Sequence, residues 1–467
     1  MFDRLRQGSC VSRLILPACL VIQACVLFPR LDLLPAWGDE HFTLRAASGS
    51  AAQALAVIAA EKNNPPLHTL LVHFWLLIPW PVSKIAAARG LSVLFALAST
   101  LVMDRLWLKA ASRRARLCFL ALWALSPCLL LYARIARPYS LLVLVFVVAL
   151  RAGVEFLRRP SSIPGGLMFG ACVTSLLYVH YLPGLALLFG VLAVLSWGAV
   201  RARRWALLAR AAGVVALVGA LYAPWLPELR AALERMALAP PAAPGVGGWM
   251  AEFVRPGYLL FSFSLGETPP LWVLLAAVLA LPAVVSLLWK GASPRPAWLA
   301  PVLVAAVAGY AGAARWVSFV FTPGRLLFLL PFFLLLAALG VEKRGKLGWL
   351  VFGAMLCLSA GSITGYYSKN DFLNKAYLLP YEEIARVIRG GSPAGRTALL
   401  ADSCNTDPFP LFDLIPEHVE RILVSRESTP DSLRRQLDST GASVIWLFRN
   451  THDTSPGKMN TLLEREL

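Results

Sequence analysis

Long apolar runs recur along most of this chain, divided by short clusters of arginine and lysine, and that alternation leaves few folds open. A run of about 20 apolar residues is the length of a membrane-crossing helix. Composition agrees, since 58% of the 467 residues are hydrophobic and only 15% are charged, against about 25% charged in a soluble domain. The expected fold class is an all-α polytopic membrane protein.

The net charge is +18. Basic residues fall in short groups between apolar runs rather than in a basic domain, so they read as cytoplasmic loop markers and not as a nucleic-acid surface. The eight cysteines form no disulfide framework, and no Cys-x-x-Cys spacing occurs. Cys19, Cys25, Cys118, Cys128, Cys172 and Cys357 lie within apolar runs, so neither a zinc nor a redox site is suggested.

The clusters at 105–116, 151–159, 201–210, 290–295 and 342–346 should all face the cytoplasm. Between consecutive clusters the chain must cross outward and return. The third excursion includes a Pro/Ala/Gly-rich stretch, 226–257, expected to lie outside without crossing. The first apolar run ends at Pro29 with no small-residue cleavage site before it, and reads as a retained helix with its basic end inside. Parity then forces a choice. If both 67–80 and 85–106 crossed, Arg105–Arg116 would face outward. The first of these stretches is only about 14 residues, is bracketed by prolines, and contains His68 and His73, so it is expected to embed without crossing. The result is about eleven crossings, with the N-terminus inside and the C-terminus outside.

Residues 1–365 form the transmembrane module and 366–467 a small extracytoplasmic α/β domain. In the latter, 380–389 and 430–438 have helical patterns, and 397–402, 421–425 and 443–448 read as short strands. It has no Gly-rich phosphate loop.

Four outer segments carry residues suited to chemistry. The first, Trp37-Gly-Asp-Glu-His, pairs Asp39 with Glu40. A carboxylate beside the bilayer can act as a general base or hold a divalent cation such as Mg or Mn; equally, the pair can simply cap the following helix. The second, Glu61-Lys-Asn-Asn-Pro-Pro-Leu-His68, offers Lys62 to a phosphate, or Lys62 snorkels at an interfacial turn. The third is Tyr132-Ala-Arg-Ile-Ala-Arg-Pro-Tyr139. Outward arginines run against the positive-inside bias, and Arg137, fixed by Pro138, suits an anionic head group or leaving phosphate; the other reading is an Arg/Tyr interfacial anchor. The fourth, Phe321-Thr-Pro-Gly-Arg325, admits the same two readings. His180–Tyr181, at a further outer turn, reads as structural. Nucleotide sugars are not expected on the outer face, so a transfer reaction there would need a membrane-borne activated donor such as a polyprenyl-phosphate sugar. A transporter or lipid flippase is the alternative class, although the chain has no internal repeat and its notable charges lie near the outer surface.

The order of these segments resembles a known family. Asp-Glu after the first run is followed by Asn-Pro-Pro-Leu, Ala-Arg-Pro-Tyr-Ser-Leu, Tyr-Val-His-Tyr and Pro-Gly-Arg-Leu-Leu-Phe-Leu-Leu-Pro. The chain is similar to the bacterial relatives of the protein O-mannosyltransferases and of lipid A aminoarabinose transferase, over residues 14–340. That resemblance implies the GT-C fold and a polyprenyl-phosphate-sugar-dependent glycosyltransferase of a bacterial inner membrane, acting with inversion. Its acceptor would be a lipid, a glycan or a protein. It implies Asp39 as the general base and Glu40 as its neighbour, possible in that family as a cation ligand. Lys62, Arg137 and Arg325 would bind the lipid phosphate, with His68 and Tyr139 beside the donor. No cofactor is fixed by it. Ile135, Leu326 and His68 depart from the family, where many relatives have Glu, Tyr and an aromatic residue.

Overall fold

The computed structural model describes residues 10–61, 65–238, 249–293, 298–315, 323–369, 372–373, 375–392, 397–402, 409–424 and 429–448. The chain divides into two compact units, Met1–Leu33 with Thr43–Asn374, and Leu34–Phe42 with Lys375–Leu467.

The first unit is helical. It contains α1 (Cys10–Leu27), the second half of α2 (Gly38–Ala47), α3 (Ala51–Glu61), α4 (Leu67–Leu76), α5 (Lys84–Leu106), α6 (Arg113–Ala124), α7 (Pro127–Ala133) and α8 (Tyr139–Arg158). It continues with α9 (Ile163–Val179), α10 (Tyr181–Arg201), α11 (Ala206–Tyr222), α12 (Leu226–Leu238), α13 (Trp249–Leu265), α14 (Leu271–Gly291), α15 (Leu299–Arg315), α16 (Leu330–Lys343) and α17 (Gly345–Ser368). A 3-10 segment, Pro323–Leu329, leads into α16.

Local chemistry starts several of these helices. Ser83, Ser112, Ser126 and Ser162 are N-caps, each accepting from a backbone N–H three residues on. Ser126 is followed by Pro127 and Ser162 by Pro164, in the first turn, where a missing N–H leaves no bond unmade.

Each of the eleven runs expected to cross is helical. Among the described residues six helical segments are long and apolar enough to span a bilayer, or eight if two bent pairs each count as one. One pair is α6 with α7, bent by 49°, and the other is the two halves of α14. Pro282 lies inside α14, where it removes a backbone bond. The remaining three, in α1, α9 and α15, are shorter apolar helices. α4, at 10 residues, rises about 15 Å and is too short for the roughly 30 Å hydrocarbon core. The chain is a polytopic membrane protein. Close backbone approach helps to pack its helices: a Cβ on Gly340 of α16 would overlap the Leu287 carbonyl of α14.

Two segments between the apolar runs are themselves largely helical. In the Pro/Ala/Gly-rich stretch 226–257, α12 and α13 occupy both ends, and 239–248 lie outside the described residues. Pro227 falls in the first turn of α12, which tolerates it. The loop after the first run is also largely helical, as α2 and α3.

The second unit contains α18 (Tyr381–Gly391), β1 (Thr397–Asp402), α19 (Phe409–Leu414), β2 (Val419–Val424), α20 (Pro430–Thr440) and β3 (Val444–Phe448). The three strands form a parallel sheet ordered β2-β1-β3, with Leu400 opposite Ile422 and Leu447. Parallel neighbours need crossover connections, and α19 and α20 supply them. Strand alternation divides the core. Leu399 and Ala401 pack with Tyr381, Ile388 and Leu411, while Ala398 and Leu400 pack with Ile422 and Leu433. Thr429 and Ser432 close a capping box on α20, and Gly441 ends that helix at φ 57°.

Candidate active site

The acidic pair opens α2, with Asp39 and Glu40 in its first turn. Glu40 is 1% exposed, and its Oε2 accepts from the Trp37 backbone N–H at 3.0 Å. It therefore satisfies one of the free donors at the helix start. Asp39 is half-buried. Both belong to the second compact unit, where the Trp37 ring meets Tyr377 edge-on at 5.2 Å and the His41 ring meets Tyr381 at 6.2 Å. The helix start that carries Asp39 is thus held by aromatic contacts to the C-terminal segment.

The basic residues gather in the first unit. Arg137 sits at the turn between α7 and α8, half-buried, with Nη1 3.4 Å from Thr43 Oγ1. His68 opens α4 and is 2% exposed. His180 joins α9 to α10 in extended conformation. Arg325 lies half-buried in the 3-10 segment. Burial, and then the charge of Arg137, pushes His68 down from 6.5 to about 3. Burial, then Arg325, then Arg137 does the same to His180. Both imidazoles are thus neutral near pH 7, His68 in the field of Arg137 and His180 in that of Arg137 and Arg325. His68 Nε2 and His180 Nδ1 make no hydrogen bond among the described residues. A neutral imidazole has one donor nitrogen and one acceptor, so two imidazoles and two guanidiniums suit an oxyanion.

These shifts have a consequence for stability. The unfolded chain protonates near 6.5 and the folded chain only near 3, so the unfolded form holds more protons between those values. Stability therefore rises with pH across that window and is lost as pH falls through it. The melting temperature of the detergent-solubilised protein is expected to drop between about pH 7 and about pH 5, less steeply in His68→Gln and His180→Gln.

The two arginines of the Tyr132–Tyr139 segment have different surroundings. Arg134 is 2% exposed and donates to the carbonyls of Leu27, Pro29 and Arg30 and to Tyr367 Oη. Its Cζ lies 5.2 Å and 5.1 Å from the Tyr366 and Tyr367 ring centres. Arg30 has φ 49°, a left-handed conformation that its bond from Arg134 helps to hold. Arg134 ties the end of α1 to the end of α17. Tyr139 is buried, its ring edge-on to Tyr132 at 5.1 Å.

Lys62 lies outside the described residues. Among the described residues no three His, Cys, Asp or Glu side chains converge as a metal site would require. Sequence reasoning named Arg137, Arg325 and His68 as site residues; in the structure the charge of Arg137 reaches both His68 and His180, and that of Arg325 reaches His180. It did not single out Glu267, a buried carboxyl on the turn between α13 and α14.

No family model matches the sequence, and no curated protein matches it. Solved structures do. The chain is similar to ArnT from Cupriavidus metallidurans bound to undecaprenyl phosphate, with TM-score 0.54 and 13% identity, over 94% of this chain and 90% of that one. It is also similar to the same protein in the apo state, with TM-score 0.52 and 14% identity, over 93% and 88%. ArnT is a lipid A aminoarabinose transferase with the GT-C fold. The likeness extends over nearly the whole of both chains and shows a shared GT-C fold.

Proposed function

We propose that this chain is a membrane glycosyltransferase that moves a monosaccharide from a polyprenyl-phosphate carrier to an acceptor hydroxyl or amine. The observation that carries the reading is the grouping of Arg137 and Arg325 with the neutral His68 and His180. A glycosyl phosphodiester gains a second negative charge when its C–O bond to phosphate breaks. Fixed guanidiniums that meet this charge stabilise the transition state more than the ground state. Arg suits the task because its fork matches phosphate oxygens and stays charged. Lys62 adds a third cation.

Asp39 is the general base. It takes the acceptor's proton as the acceptor oxygen or nitrogen bonds to the anomeric carbon, and the lipid phosphate leaves from the opposite face, giving inversion. Glu40, turned to the Trp37 N–H, supports the helix start that presents Asp39. The acceptor is a lipid, glycan or protein of the cell envelope. The N-terminus lies in the cytoplasm, and the C-terminal domain lies outside. Resemblance to the aminoarabinose and mannose transferases supports these assignments, as does the fold shared with a protein whose structure holds undecaprenyl phosphate.

The test joins binding to product. The full chain in lipid nanodiscs is expected to bind undecaprenyl phosphate. Mass spectrometry of envelope lipids and glycans is expected to find one species short by a single sugar in cells lacking the gene. Unchanged lipids, glycans and proteins, together with no binding, would overturn the proposal.

A further inference from the structure

Glu267 is a buried carboxyl that the proposed transfer does not use. It is 2% exposed and lies between α13 and α14. Tyr132 Oη donates to its Oε1 at 2.5 Å, Tyr258 Oη to its Oε2 at 3.0 Å, and Ser262 Oγ to Oε1 at 3.4 Å. Burial raises the carboxyl, and the three hydroxyls pull it back. The turn itself is pinned. The Glu267 carbonyl accepts from the Leu373 N–H at 2.9 Å, and Thr268 Oγ1 donates to the Ser362 carbonyl at 2.9 Å. Gly266 holds φ +73°, where a Cβ would come within 2.6 Å of Pro127. Taking a carboxyl out of water is costly, and three hydroxyl donors explain how it is tolerated. They leave open what the carboxyl is for.

The position of Tyr132 answers that. Its ring meets Tyr139 edge-on at 5.1 Å, two residues beyond Arg137. It also packs onto Gly324, where a Cβ would overlap the ring, and the next residue is Arg325. Tyr132 thus touches both arginine-bearing turns, and Glu267 fixes its hydroxyl.

We propose that Glu267 is a positioning residue for the phosphate site: by fixing Tyr132 it holds the Arg325 segment in register with the Arg137 turn. This rests on the phosphate-binding reading above. A displacement of a few tenths of an ångström in either turn weakens a two-guanidinium clamp, because its strength depends on both forks reaching one phosphate.

The experiment measures undecaprenyl phosphate affinity of the full chain in nanodiscs, with melting temperature recorded for each variant. Glu267→Gln and Tyr132→Phe are each expected to weaken binding about tenfold. In an Arg325→Ala background the same substitutions should cost no further affinity, because the element they position no longer carries its charge. An equal loss in both backgrounds overturns the proposal, since a carboxyl with only a structural role would act regardless of Arg325. Unchanged affinity in the two single variants, with Arg325→Ala weakened, overturns it as well. Should Glu267→Gln fail to fold, Tyr132→Phe carries the same comparison, as it keeps the ring and removes only the hydroxyl. Absence of binding by the unaltered protein overturns the phosphate reading itself, and is distinct from either of these results.

Discussion

Asp39→Asn is expected to lower the transfer rate by about 10²–10⁴-fold while the melting temperature stays at the unaltered value. Asparagine keeps the size and hydrogen-bonding shape of the side chain and removes its basicity. It is also a favourable residue at a helix start, so the fold has little to lose. The measurement is the initial rate with a polyprenyl-phosphate sugar in nanodiscs, alongside a melting curve. Full activity would remove Asp39 as the base. The neighbouring carboxyl should behave differently. Glu40 is buried and accepts from the Trp37 N–H, so Glu40→Ala should cost about 0.5–2 kcal/mol of local stability, and its effect on rate should follow from the loosened helix start.

The paired substitutions Arg134→Ala and Arg137→Ala should separate stability from binding within one eight-residue segment. Arg134 donates to three main-chain carbonyls and a tyrosine hydroxyl. Removing it leaves these acceptors, the buried Leu27 carbonyl among them, without their donor and also removes the guanidinium from the Tyr366 and Tyr367 rings. A loss of about 3–4 kcal/mol is expected, read as a large fall in melting temperature. Arg137 is half-buried and faces the imidazoles of His68 and His180 through its charge. Arg137→Ala should leave melting nearly unchanged and weaken undecaprenyl phosphate binding about 10–100-fold, the range of one charged hydrogen bond. If the two variants behaved alike, the division of labour drawn from their surroundings would be wrong.

Local pattern carried much of the fold. The apolar runs gave the helices because a bilayer leaves a chain few ways to satisfy its backbone. In the tail, the strand expected at 397–402 matches β1, and those at 421–425 and 443–448 fall on β2 and β3 with shifts of one or two residues. The helix expected at 430–438 is α20, announced by its Thr-Pro-Asp-Ser start. α19 escaped notice because six residues are too few to display a helical period.

The site was legible only in part. Charge placement picked out Arg137 and Arg325, because cations at outer turns run against the positive-inside bias, and the family resemblance added His68. They could not tell Arg134 from Arg137, since the two share a segment and differ only in what surrounds them. His180 read as structural because a lone histidine in an apolar turn carries no sign of its neighbours. Glu267 was not singled out, since its three hydroxyl partners come from Ser262 and Tyr258 nearby and from Tyr132, 135 positions away.

By itself, then, the sequence determined the membrane class, the apolar helices and the small C-terminal α/β domain. These depend on periodicity and local composition, which neighbouring residues set among themselves. Only the tertiary structure grouped two arginines with two neutral imidazoles, turned Glu40 inward as a cap, and set Trp37 and His41 against Tyr377 and Tyr381. Those arrangements join residues far apart in the chain, and burial and long-range contact, which decide their charge and partners, are written in no single stretch of it.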